Sequence, residues 1–164
     1  MSGNAVIKGR AAELVALLQQ CGLTVATAES CTGGSVAAAI TSVPGCSSVM
    51  LGGVVAYHNR VKAKVLGVDE VLLEAFGAVS EPVVREMVAG VAALTGADCA
   101  VATSGVAGPG GGTQEKPVGT VWIGVATPHR SFAVLKNCGT DRGQIIQRAT
   151  AYAIRLLLDE LQND

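Results

Sequence analysis

Three residues in this sequence stand where their types and spacing could do acyl-transfer chemistry: Ser30, Tyr57 and Lys62. Ser30 lies in the string Thr27-Ala28-Glu29-Ser30-Cys31-Thr32-Gly33-Gly34, between a short β-prone run at 23–28 and a small-residue helical pattern at 35–42. A serine at a sharp strand-to-helix turn has its hydroxyl pushed into the open. The first free amides of the helix, those of Cys31, Thr32, Gly33 and Gly34, would face whatever bonds to it, as in a nucleophile beside an oxyanion hole. The same spacing fits a plain helix cap by Ser30 or Thr32. Glu29 beside the turn has no evident surface role, which favours a part in substrate binding over satisfying loop amides or standing in solvent.

A serine nucleophile needs a base. The two histidines, His58 and His129, are not followed by a fitting acid, so a Ser-His-Asp triad is poorly supported. A lysine serves when burial lowers its pKa. Tyr57 is predicted to end a strand over 52–57, and Lys62 falls about one turn into a helix over 58–66, so both can reach back over the strand end. In that arrangement Tyr57 would relay or orient the proton. The plainer readings are a solvated helix lysine and a tyrosine at the edge of the core.

Two further segments are suited to an anion. Thr103-Ser104-Gly105-Val106-Ala107-Gly108-Pro109-Gly110-Gly111-Gly112 lets backbone amides approach a ligand closely, but it lacks the Gly-Lys-Ser/Thr ending of a P-loop. It reads either as an ordered site loop or as a slack glycine connection. Gly139-Thr140-Asp141-Arg142 joins a helix start to an arginine, a clamp for phosphate or carboxylate, or else a cap beside a solvated arginine. The five cysteines are scattered and form no CxxC pair, which fits neither a disulfide framework nor a zinc site and points to a reducing cytoplasm. Cys31 reads as a small buried thiol.

Elements must hold these segments together. Helices are expected over 11–21 with Gly22 as the stop, over 70–76, from Ser80 as N-cap with Pro82 in the first turn to about 94, and over 141–161. Strands are expected over 99–103, 118–127 and 131–135, the last two as a hairpin. This order gives an α/β fold of three layers, a mixed, mostly parallel sheet with helices on both faces, over a single domain 1–164. Ligands in such folds gather at the carboxyl ends of the strands, where Ser30 and the glycine loop both fall. With 49% hydrophobic but only 3% aromatic residues, the core is aliphatic and offers few stacking platforms. A net charge of −1 without a basic stripe argues against a nucleic-acid partner, and no apolar run is long enough to span a bilayer or to serve as a leader peptide.

Taken in order, residues 27–34, 52–57 with Asn59 and Lys62, 77–80, 104–112, 116–121 and Asp141-Arg142 resemble the CinA C-terminal domain family, whose stand-alone members include nicotinamide-mononucleotide deamidases. The resemblance covers most of the chain. It implies hydrolysis of the carboxamide of nicotinamide mononucleotide to nicotinate mononucleotide and ammonia, with no metal or cofactor. Ser30 would be the nucleophile, with Tyr57 and Lys62 assisting. It further implies that Ser104, Gly105, Ala107 and Gly108, with Thr103 and Arg142, hold the ribose and phosphate. His58 departs from the small polar residue expected there and is expected to alter the pH profile. Larger CinA proteins carry an additional N-terminal domain for which 164 residues leave no room. A homo-oligomer is expected from the family's habit. The alternatives are a non-catalytic nucleotide-binding or regulatory domain, and an amidase acting on another small amide.

Overall fold

The computed structural model describes residues 2–163. Five strands, β1 (Val25–Glu29), β2 (Met50–Val55), β3 (Cys99–Gly105), β4 (Thr120–Ala126) and β5 (Ser131–Asn137), form one sheet in the order β2-β1-β3-β4-β5. β1 pairs parallel with β2 and with β3, whereas β3-β4 and β4-β5 are antiparallel. Following the pairings across the sheet, β4 alone runs against the other strands. The sheet is therefore mixed and mostly parallel, as expected from the sequence.

The two faces of the sheet differ in side-chain size, and that difference sorts the helices. On one face Val25, Val101, Ile123 and Val125 meet α1 (Gly3–Cys21), α2 (Ser35–Thr41) and α6 (Arg142–Asn163) through Leu14, Leu18, Ile40, Ile154 and Leu157. On the other, Ala26, Ala28, Ala100 and Ala102 meet α3 (Asn59–Leu66), α4 (Glu70–Phe76) and α5 (Glu81–Thr95) through Leu66, Leu73, Val84, Met87 and Val88. The alternation follows from the two-residue period of a strand. Each fully buried leucine contributes on the order of 2 kcal/mol by leaving water. Small residues also let backbones approach. A methyl group on Gly90 of α5 would come within 1.9 Å of the Leu66 carbonyl oxygen at the end of α3, so the hydrogen there is what allows α3 to seat on α5.

Several boundaries differ from expectation, each for a local reason. α1 begins at Gly3 rather than near 11, since Ile7 joins the core and the Gln147 amide donates to Asn4 Oδ1 at 2.9 Å. β2 ends at Val55, two residues before Tyr57; the Ala56 amide makes a last bond to β1, on the Glu29 carbonyl at 2.8 Å, before the chain turns into α3. β3 runs on through Ser104 and Gly105, which pair with Trp122 and Val121. Ser80 stands at the N-cap position of α5 with Pro82 in the first turn, but its hydroxyl donates to the Gly77 carbonyl at 2.8 Å instead of capping. Gly22 does end α1, in the left-handed conformation at φ 65°. Among the described residues no helix is long and apolar enough to cross a membrane.

Candidate active site

The chain passes from β1 out to β2 on one side and returns to β3 on the other, so the connections after β1 and β3 diverge and leave a crevice at their carboxyl ends. A cleft of about 310 Å³ opens there, within the range of small-molecule sites. Its walls include Ser30 and Cys31 from the turn after β1, Tyr57 and Lys62 from the corner between β2 and α3, Ser104 through Gly108 from the end of β3 and its loop, and Arg142 from the start of α6. A larger groove of about 510 Å³ between α1, α2 and α6 brings together no comparable set of reactive side chains.

Lys62 sits one turn into α3 and is only 1% exposed. Its Nζ donates to Ser30 Oγ at 3.0 Å and to the Tyr57 carbonyl at 3.2 Å. Among the described residues no carboxylate forms an ion pair with it. Burial disfavours the charged form, and the lysine is lowered from 10.5 to about 8, the nearby Cys31 opposing the shift. At neutral pH roughly a tenth of such a group is free base, a far larger share than a solvated lysine offers. Ser30 itself is 8% exposed, its hydroxyl therefore held in a mostly dry setting. The Cys31 thiol beside it is pushed up to about 12, first by burial and then by the neighbouring Cys138, so it stays protonated and is a poor nucleophile.

Residues 31–34 form the turn after β1 and α2 begins at Ser35, as the sequence predicts, so the amides of 31–34 precede the helix and are not its first turn. The Gly33 amide is taken by the Ser30 carbonyl at 3.0 Å and cannot serve an oxyanion in this conformation. Glu29, expected to hold substrate, is absent from the walls of the cleft. It is 1% exposed, and its carboxylate folds back to accept the Val36 and Ala37 amides at 2.8 and 3.0 Å and the Thr32 hydroxyl at 2.6 Å. Thr103 is likewise buried behind the cleft, bonding Thr32 Oγ1 at 2.7 Å.

At the mouth of the cleft, Tyr57 is 58% exposed, and its hydroxyl accepts from Arg142 Nη2 at 3.2 Å. Arg142 Nη1 donates to the Gly108 carbonyl, which ties α6 to the glycine loop. The tyrosine therefore meets Lys62 through its carbonyl, and its phenol points to the arginine; a hydroxyl relay between Ser30 and Lys62 is not formed. Ser104 donates to the Ala78 carbonyl at 2.8 Å and so fixes residues 77–80 along one wall. His58 caps α3 by accepting the Arg60 amide on Nδ1 at 3.1 Å.

Sequence reasoning assigned no role to Asn59, Ala78, Val79 or Val106, all of which line the cleft. Asn59 and the 77–80 string were visible only as parts of a family pattern, because neither type nor spacing marks a small apolar wall. Among the described residues no group of three His, Cys, Asp or Glu side chains is gathered as a metal site.

The CinA C-terminal domain family model matches residues 8–161. Nicotinamide-nucleotide amidohydrolase PncC of Escherichia coli K12 is 49% identical over 144 residues, covering 87% of each chain. A CinA-like protein of Prochlorococcus marinus MIT 9313 is 51% identical over 149 residues, which are 87% of this chain and 35% of that protein. The chain thus spans about a third of the length of the CinA-like proteins it matches. Among solved structures, the competence/damage inducible protein CihA of Agrobacterium tumefaciens superposes with a TM-score of 0.92 at 36% identity, covering 96% of both chains. The competence damage-inducible protein A of Klebsiella pneumoniae does so with the same TM-score and identity over 95% of this chain and 97% of that one. With its strand order, its crevice and the ordered motifs that line it, the chain belongs to the CinA C-terminal domain family.

Proposed function

We propose that the protein hydrolyses the carboxamide of nicotinamide mononucleotide to nicotinate mononucleotide and ammonia. One observation carries this reading: a buried lysine with no carboxylate ion-pair partner among the described residues, 3.0 Å from a serine hydroxyl at the base of a small cleft. Its likeness to PncC, whose name states an action on nicotinamide nucleotide, supports the choice of substrate.

Neutral Lys62 takes the proton of Ser30 as Oγ attacks the amide carbon. Turn amides following Ser30, other than that of Gly33, stabilise the tetrahedral oxyanion. Lys62, now an ammonium, protonates the departing nitrogen and ammonia leaves. Water, deprotonated by the regenerated base, then cleaves the ester on Ser30. Tyr57 supports the lysine through its carbonyl, and Arg142 with the glycine loop receives the ribose phosphate at the mouth. No step calls on a metal or cofactor. The reading extends to one domain over 1–164, working in the cytoplasm as an assembly of identical copies, without nucleic acid or membrane as partner.

Ammonia release from nicotinamide mononucleotide by the purified protein in a chelator tests the proposal, with Ser30→Ala as control. Release by the wild type alone supports it. Equal release by both removes Ser30 from the mechanism, and no release by either removes this substrate.

A further inference from the structure

The turn that carries Ser30 is held only in part by its own backbone, through the Gly33 amide on the Ser30 carbonyl and the Ser35 amide on the Thr32 carbonyl, both at 3.0 Å. Residues 30–34 include Gly33 and Gly34 at φ 60° and 104°, the two most permissive positions a turn can have, and such a segment samples many conformations unless something outside it decides. Glu29 supplies that decision. It is the last residue of β1, yet its side chain reaches past the whole turn to the first residues of α2, where one oxygen accepts the Val36 amide and the other the Ala37 amide. A capping residue ordinarily stands next to the helix it caps. Here the carboxylate and the Glu29 backbone close a ring around residues 30–35, and the candidate nucleophile is inside it.

The ring is cross-braced. A carboxylate only accepts, so the Thr32 hydroxyl at 2.6 Å gives its single proton to Glu29 Oε1. In the pair Thr32–Thr103 at 2.7 Å, the donor is then Thr103. The proton order runs from Thr103 to Thr32 to Glu29. Thr103 also accepts the Ser30 amide on its carbonyl at 2.9 Å, so the same residue holds the nucleophile's backbone with one group and the brace with another. All three side chains are at least 97% buried, where an unmade hydrogen bond is expensive.

We propose that Glu29, Thr32 and Thr103 are positioning residues whose side chains aim Ser30 Oγ at Lys62 and touch no substrate. This rests on Ser30 being the nucleophile, as in the function proposed above. Because the brace acts on the reacting geometry and lies outside the cleft, its loss falls on kcat and leaves KM in place.

Thr32→Val keeps the shape and removes the hydroxyl. Its expected kcat for nicotinamide mononucleotide falls about 30-fold with KM within about threefold of wild type, and Thr32→Ser restores kcat to within about threefold. The rate at which a fluorophosphonate labels Ser30, followed by intact mass, should fall in parallel. A merely structural contact would lower the melting temperature without this split and without rescue. Thr103→Val, which leaves the Glu29–Thr32 bond in place, is the second variant should Thr32→Val not fold, and an intermediate loss of labelling is expected. Wild-type labelling rates in both valine variants, or a KM that rises as far as kcat falls, overturn the brace. The labelling rates judge it whichever amide is the substrate: normal labelling of wild type without ammonia release rejects the substrate alone, and a wild-type Ser30 that takes no probe rejects both.

Discussion

The floor and the mouth of the cleft use the same kinds of groups, a cation and a hydroxyl at about 3 Å, to opposite ends. On the floor, Lys62 and Ser30 are buried, and the lysine has lost much of its hold on a proton. At the mouth, Arg142 and Tyr57 are exposed, and the guanidinium stands in contact with water. Burial turns a cation into a base, whereas exposure leaves it as an anchor for an anion. The difference between chemistry and binding in this site is thus a difference in contact with water more than in residue type.

The comparison breaks most sharply at the floor. Ser30→Ala and Lys62→Met should each lower kcat by about 10³-fold or more in an ammonia-release assay. Lys62→Met should also raise the melting temperature by a few degrees, because an apolar chain of similar length replaces a buried amine with no carboxylate partner among the described residues. A methionine variant that melts lower than wild type would show that the lysine is well solvated or paired, and the contrast with the mouth would fail.

Proton concentration sets the next largest effect. Since the base form of Lys62 is required and its pKa lies near 8, kcat/KM should fall about tenfold per pH unit below that value and level off above it. Stability follows the same group with a sign that can be checked. The folded lysine releases its proton near 8, while the unfolded chain keeps it to about 10.5. Between those values the unfolded state binds more protons, so stability rises with pH. Denaturant titrations across that window should show a slope in the wild type that Lys62→Met reduces.

Smaller effects are expected at the mouth. Arg142→Ala should raise KM about tenfold and change kcat by less than about threefold, and the difference should shrink in high salt as screening weakens the anion contact. Tyr57→Phe removes the phenol but keeps the carbonyl that holds Lys62, so kcat should drop by no more than about threefold. A loss in Tyr57→Phe as large as in Lys62→Met would place the phenol in the proton path and blur floor with mouth.

How far the sequence carries depends on whether a feature is local. Strand, turn and helix around Ser30 could be read because β-prone residues, paired glycines and a small-residue helix follow one another directly. Lys62 could be placed over the strand end because helical spacing fixes it relative to Tyr57. The direction of the Tyr57 hydroxyl could not, since it is set by Arg142, 85 residues further along the chain. Glu29 shows the same limit at short range. A carboxylate beside a turn looks free in sequence, and only the fold reveals that the Val36 and Ala37 amides have claimed it. Ser80 erred in the other direction: a good capping residue in a capping position found a better acceptor in the Gly77 carbonyl.

Gly90 gives a last consequence. It faces α3 from the far side of α5, and nothing at that position meets the cleft. Yet α3 is the lever that carries Lys62, and its distal end rests on the bare backbone of Gly90. A side chain there would tilt the lever, with Leu66 pushed outward and Nζ drawn from Ser30. In a mutational survey scored by turnover, this glycine should stand out beside the residues of the floor, a remote position whose tolerance is set by leverage and not by chemistry.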